Sequence, residues 1–124
     1  FELHETYSFE RMAVETNVYR NLLLPNIQDE KKRREKESGK QVRIAFYDVE
    51  QTENKRERIT RLEPKCNHGW ILFNRSLSRE FMNQVEDFPH ADHDDAPDCL
   101  EILWNLAHNR YRAASADLNV MSGR

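Results

Sequence analysis

The stretch Arg11-Met-Ala-Val-Glu15 decides the architecture. It is a short apolar run that closes on an acid, the pattern of a buried strand. After it, residues 17–24 carry Val18, Leu22 and Leu23 close to helical spacing, and Pro25 is expected to kink or divide that helix. Residues 28–38 are almost wholly charged and Gly39 is a natural stop, so the run Lys31-Lys32-Arg33-Arg34 reads as a solvated helical face. Residues 41–49 then bring Val42, Ile44, Phe46 and Tyr47, whose β-branched and aromatic side chains predict a second strand. Strand, helix, strand is the unit from which a parallel sheet is built.

Further along, residues 54–62 read as a helix capped by Asn54, with Ile59 and Leu62 facing inward and Pro64 ending it. Asn67-His68-Gly69 is a turn, and residues 70–73 are expected to form a third short apolar strand. Residues 77–85 predict a helix capped by Ser78, with Phe81, Met82 and Val85 on one face. Residues 88–93 form a loop. Residues 94–107 give the clearest helix, with acids and Pro97 in its first turn and Leu100, Leu103, Trp104 and Ala107 as its apolar stripe. The order predicts an α/β fold with a mostly parallel sheet and helices on both faces. Three strands make a thin sheet, and a further N-terminal strand or hairpin would complete it. One domain is expected over residues 1–109, followed by a frayed tail over 110–124.

The composition agrees with one domain. The chain has 124 residues, and its 10% aromatic share argues against disorder although 33% of it is charged. Nineteen basic and 22 acidic residues give a net charge of −3, which excludes a uniformly basic nucleic-acid clamp but not a local basic patch. No apolar run approaches the length of a membrane span, and residues 1–20 lack the pattern of a secretory leader. Cys66 and Cys99 stand apart, which suggests a reducing compartment and no cysteine metal knuckle. A glycine-rich phosphate loop and a Gly-x-Ser-x-Gly elbow are both missing, so neither a phosphate-loop ATPase nor a serine hydrolase is supported.

The densest chemistry lies in His90-Ala-Asp-His-Asp-Asp-Ala-Pro-Asp98. On a helix starting near Asp94, the acids Asp94, Asp98 and Glu101 share a face. Carboxylates so crowded repel one another unless a cation is present, and hard divalent ions such as Mg²⁺ choose oxygen ligands. The alternative is plain helix capping by Asp94 and Asp95, which would offset the helix dipole. Glu15 is a second candidate, because an acid at the carboxyl end of a parallel strand lies where such sheets bind their ligands. Lys55, Arg58 and Arg61 follow at i+3 spacing and can track a nucleic-acid backbone, or else they pair with Glu53 and Glu57 on a solvated face. His68 and His93 are possible proton carriers.

Three segments resemble the C-terminal nuclease domain of tailed-phage terminase large subunits. They are Met12-Ala-Val-Glu-Thr-Asn-Val-Tyr19, then Asn54-Lys-Arg-Glu-Arg-Ile-Thr-Arg-Leu-Glu-Pro64 with Asn67-His-Gly-Trp-Ile-Leu-Phe73, and finally Phe88-Pro-His-Ala-Asp-His-Asp-Asp-Ala-Pro-Asp-Cys-Leu-Glu101. The last is the most specific. The resemblance implies a ribonuclease H-like fold and a metal-dependent endonuclease that cuts concatemeric double-stranded DNA. It implies Glu15 as the middle metal-binding acid and Asp94 or Asp95 as the last, with Asp95 slightly favoured, around two Mg²⁺ or Mn²⁺ ions. Lys55, Arg58 and Arg61 would steady the DNA backbone, with His93 and Asp98 as accessory residues. The implied partners are the terminase ATPase domain, the small terminase subunit and the portal, in the cytoplasm of the host cell. The family's first catalytic aspartate lies on an earlier strand, and residues 1–12 contain no Asp. The resemblance therefore covers the second half of that domain, expected to be inactive alone. The competing readings are a DNA- or motor-binding module that kept the fold without catalysis, or another ribonuclease H-like nuclease.

Overall fold

The computed structural model describes residues 1–15 and 20–111. Where the sequence predicts one domain over residues 1–109, the chain clusters into two compact units. One is Phe1–Gln51 together with the described residues 109–111, and the other is Thr52–His108. The expected tail lies almost wholly outside the described residues.

The first unit is α/β. Helix α1 (Glu2–Tyr7) opens it, followed by strand β1 (Arg11–Glu15), helix α2 (Arg20–Ser38) and strand β2 (Ala45–Val49). The strands pair in parallel, in a register that sets Arg11 opposite Ala45 and Glu15 opposite Val49. Helix α2 supplies the crossover that a parallel pair requires. Ahead of β1 the described residues form a helix and no strand. Ser8 ends it in the left-handed region at φ 54°, and its N–H donates to the His4 carbonyl at 2.8 Å. Leu24, Ile44, Phe46 and Val49 are buried, and the edge of the Phe1 ring meets Phe46 at 5.8 Å. Pro25 lies within α2 and does not divide it. The charged run is helical as expected, and Gly39 closes it at φ +69° with its N–H on the Glu35 carbonyl. Glu30 accepts from both Arg33 and Arg34, and Arg33 reaches Glu37, so α2 is tied by pairs along its own surface.

The second unit is helical. It contains α3 (Lys55–Thr60), α4 (Leu62–Asn67), α5 (Arg79–Asp87) and α6 (Asp95–Ala107), with α3 and α5 both packed on α6. Asn54 and Ser78 cap as expected, accepting the N–H of Glu57 and of Phe81. Three expectations are corrected. Pro64 does not end a helix. It occupies the third position of α4, where an N–H has no intrahelical acceptor and its loss costs little. Residues 70–73 form no strand. The Trp70 N–H folds back onto the Lys65 carbonyl, and Trp70 and Leu72 stand 66% and 85% exposed. The described sheet therefore has two strands, not three. Finally, α6 turns a different face inward. Leu103 is 55% exposed and Ala107 is exposed, while Ala96, Pro97, Glu101 and Leu106 are buried. The cause is an ionic contact with α3 that takes in a face the sequence pattern marks as polar. Among the described residues no helix is long and apolar enough to cross a membrane.

Candidate functional site

Glu15 ends β1 opposite Val49, exposed, at the carboxyl edge of two parallel strands. Parallel α/β sheets offer their ligand sites at that edge. It belongs to the first unit.

The other predicted residues lie in the second unit, and most of them meet one another. Lys55 Nζ donates to Asp94 Oδ1 at 3.0 Å and lies 3.3 Å from Asp98 Oδ2. Arg58 Nη1 donates to Asp98 Oδ1 at 3.2 Å and to Glu101 Oε2 at 2.7 Å. Glu101 is held further by Asn105 Nδ2, which donates to its second oxygen at 2.5 Å. The basic residues of α3 thus meet the acids of α6 in register. Asp94, Asp98 and Glu101 share a face as the spacing predicts, and their mutual repulsion is relieved by two side-chain cations. The hydrogen bond to Asp94 is the main reason the Lys55 ammonium keeps its proton above the usual lysine range, against partial burial. Burial pulls the Arg58 guanidinium down, but Glu101 and Asp98 together outweigh it, and the net shift is upward.

The expected open stripe of Lys55, Arg58 and Arg61 is therefore not one surface. The Arg58 side chain is only 6% exposed, and its Nε is buried without a hydrogen-bond partner. Arg61 pairs with Glu53, as the solvated-face alternative predicts, and stays about half exposed. Lys55 is partly exposed on the rim of the acidic face.

The capping alternative for Asp94 is also corrected. Asp94 is the N-cap residue of α6, yet its side chain makes no capping hydrogen bond. The Ala96 N–H donates instead to Gln84 Oε1 of α5 at 2.9 Å. Asp95, at the first helical position, is exposed. His93 lies exposed beside an open polar recess lined by Glu80, Gln84, Asp87, His90 and Asp92. His68 is exposed in its turn, with Nδ1 2.6 Å from the Pro64 carbonyl. Cys66 is half-buried and burial pushes its thiol up, away from the reactive thiolate.

Glu15 in the first unit, and Asp94 and Asp95 in the second, each offer carboxylate oxygens, the ligand type of Mg²⁺ and Mn²⁺. Asp94 pairs with the Lys55 ammonium, whose place a metal ion would have to take. Among the described residues, no three His, Cys, Asp or Glu side chains are grouped so that they could hold a metal ion as they stand.

Sequence reasoning missed Gln84 and the burial of Glu101. A signal for the first was present. Pro97 follows Asp94 by three residues and removes one of the two N–H groups that an N-cap aspartate usually accepts. Comparison with models of known families, with curated proteins and with solved structures found no match for the chain.

Proposed function

We propose that this chain is the ribonuclease H-like, metal-dependent endonuclease part of a phage DNA-packaging terminase, acting on concatemeric double-stranded DNA in the host cytoplasm. The single observation that supports the reading best is the state of Asp94. It occupies the capping position of α6 but leaves capping to Gln84 and faces a cation instead. An acid freed from capping at a helix start is available as a ligand, the role that the resemblance implies for Asp94 or Asp95. Glu15, on the ligand edge of a parallel strand pair, supports it from the first unit. On this reading Glu15, Asp94 and Asp95 are the carboxylates that hold Mg²⁺ or Mn²⁺. The chemistry such ions supply when bound is activation of water and stabilisation of the leaving oxygen of a phosphodiester. Lys55 and Arg61 are the exposed cations near the DNA backbone, and the ATPase domain, the small subunit and the portal are the partners.

The test is metal binding by the intact chain. Mn²⁺ is expected to raise its melting temperature, because an ion bound only by the folded state stabilises that state by mass action. Glu15→Gln and Asp95→Asn, which remove charge at nearly constant shape, are each expected to reduce the rise. An equal rise in wild type and both variants would remove these residues as ligands, and no rise at all would sink the metal-dependent reading.

A further inference from the structure

We infer that Gln84 is a positioning residue, whose side-chain oxygen caps α6 from outside and thereby keeps the Asp94 carboxylate turned away from its own helix. Few N–H groups are open at this helix start. Its first three residues are Asp95, Ala96 and Pro97. The Asp98 N–H already donates to the Asp94 carbonyl at 3.1 Å, and Pro97 has no N–H to offer. Of the second- and third-position donors that an N-cap side chain normally accepts, only Ala96 N–H exists, and Gln84 Oε1 takes it at 2.9 Å. Aspartate is among the best N-cap residues, but Asp94 sits at ψ 16°, outside the extended region of a capping residue such as Ser78 at ψ 148°, so capping its own helix requires a turn about ψ. With the Ala96 N–H already taken by Gln84, that turn gains no hydrogen bond.

Gln84 reaches Ala96 because α5 packs directly on α6 and because Ser78, accepting the Phe81 N–H at 3.1 Å, fixes where α5 begins. With the donor filled, Asp94 Oδ1 is left to accept from Lys55 at 3.0 Å. Remove Gln84 and Asp94 turns inward to serve as its own cap. The fold survives and the outward-facing acid is lost. This role goes beyond the nuclease reading, since it concerns where one carboxylate points, whatever chemistry uses it.

The test is a double-mutant cycle on the intact chain with Gln84→Leu and Asp94→Ala, read by urea unfolding and by amide hydrogen exchange at Ala96. In the native background Asp94→Ala removes an exposed ion pair and is expected to change the unfolding equilibrium by about twofold. In the Gln84→Leu background the same change removes the substitute cap, and a shift of roughly tenfold is expected. The Ala96 amide stays protected in each single variant and loses protection only in the double one. Gln84→Glu keeps an acceptor oxygen and is expected to restore the native pattern. Independent effects of the two changes, or loss of Ala96 protection in Gln84→Leu alone, would overturn the inference. Mn²⁺ titration separates it from the nuclease reading. Where wild type binds Mn²⁺, Gln84→Leu is expected to bind about tenfold more weakly. If wild type binds none, the nuclease reading falls and the cycle still decides the role of Gln84.

Discussion

Arg58 and Glu101 meet at 2.7 Å with both side chains less than a tenth exposed, joining α3 to the middle of α6. An ion pair so placed costs much to desolvate and contributes mainly by fixing one arrangement of the two helices. Breaking it from one side is far worse than replacing it. Arg58→Met leaves Glu101 buried without its cation, while Asp98 keeps Lys55, and is expected to destabilise the chain by about 3–5 kcal/mol. Arg58→Met with Glu101→Leu is expected to recover most of that loss. Urea midpoints followed by circular dichroism check both values. A double variant as weak as the single one would show that the pair itself, and not the stranded charge, sets the cost.

The inward face of α6 separates two leucines that the sequence pattern does not. Leu106→Ala is expected to cost about 2–5 kcal/mol, because it opens space in a packed interior. Leu103→Ala, at a position 55% exposed, is expected to change stability by less than about 1 kcal/mol. Thermal melting of the two variants is the measurement, and the reverse order would restore the stripe through Leu100, Leu103 and Ala107.

Much of this fold is legible in the sequence, and the exceptions have physical causes. Both strands, the charged helix stopped at Gly39, and the caps at Asn54 and Ser78 follow from local patterns that depend on nearby residues alone. The strand at residues 70–73 is misread because a short apolar run after a turn describes what a segment prefers, while a strand also needs a neighbour to pair with. The burial of Glu101 is hidden for a similar reason. An acid is expected outside until a partner from another helix, here Arg58, is known. In the candidate site, Asp94, Asp98 and Lys55 are legible as chemistry-bearing residues. Their mutual neutralisation is not, because it depends on how α3 lies against α6.

Glu30 gives α2 a pH dependence of known sign. Hydrogen bonds from Arg33 and Arg34 hold its carboxyl down at about 2. A carboxyl that ionises at lower pH in the folded chain than in the unfolded one adds stability above the ordinary glutamate range. That contribution fades as pH falls through about 2. Melting temperature is therefore expected to fall more steeply between pH 5 and pH 2 in wild type than in Glu30→Gln, which has no proton to take up. Parallel slopes for the two proteins would rule out Glu30 as a contributor.

The nuclease reading makes one demand on DNA binding that burial sharpens. Arg61→Glu is expected to weaken binding to any duplex and to lower the salt slope by about 1, as loss of a phosphate contact does. Arg58→Lys, which keeps the buried positive charge, is expected to leave the slope unchanged. Equal loss of slope for both variants would return Arg58 to the phosphate surface.

Arg34 and Glu35 give the charged half of α2 a second property. Arg34 lies over the Phe1 ring at 5.4 Å and pairs with Glu5 of α1, and Glu35 accepts the Val42 N–H just ahead of β2. The end of this helix is thus attached to its surroundings by charge, while Leu24 near its start is attached by burial. The two attachments answer to different solvents. Ionic strength shortens the reach of the first to about 10 Å at 0.1 M and less beyond, and leaves the second intact or stronger. In concentrated salt the Arg34–Glu5 pair is expected to weaken while the Phe1–Phe46 contact and the β1–β2 pairing persist, so α1 is left tied to the sheet by its apolar contact alone.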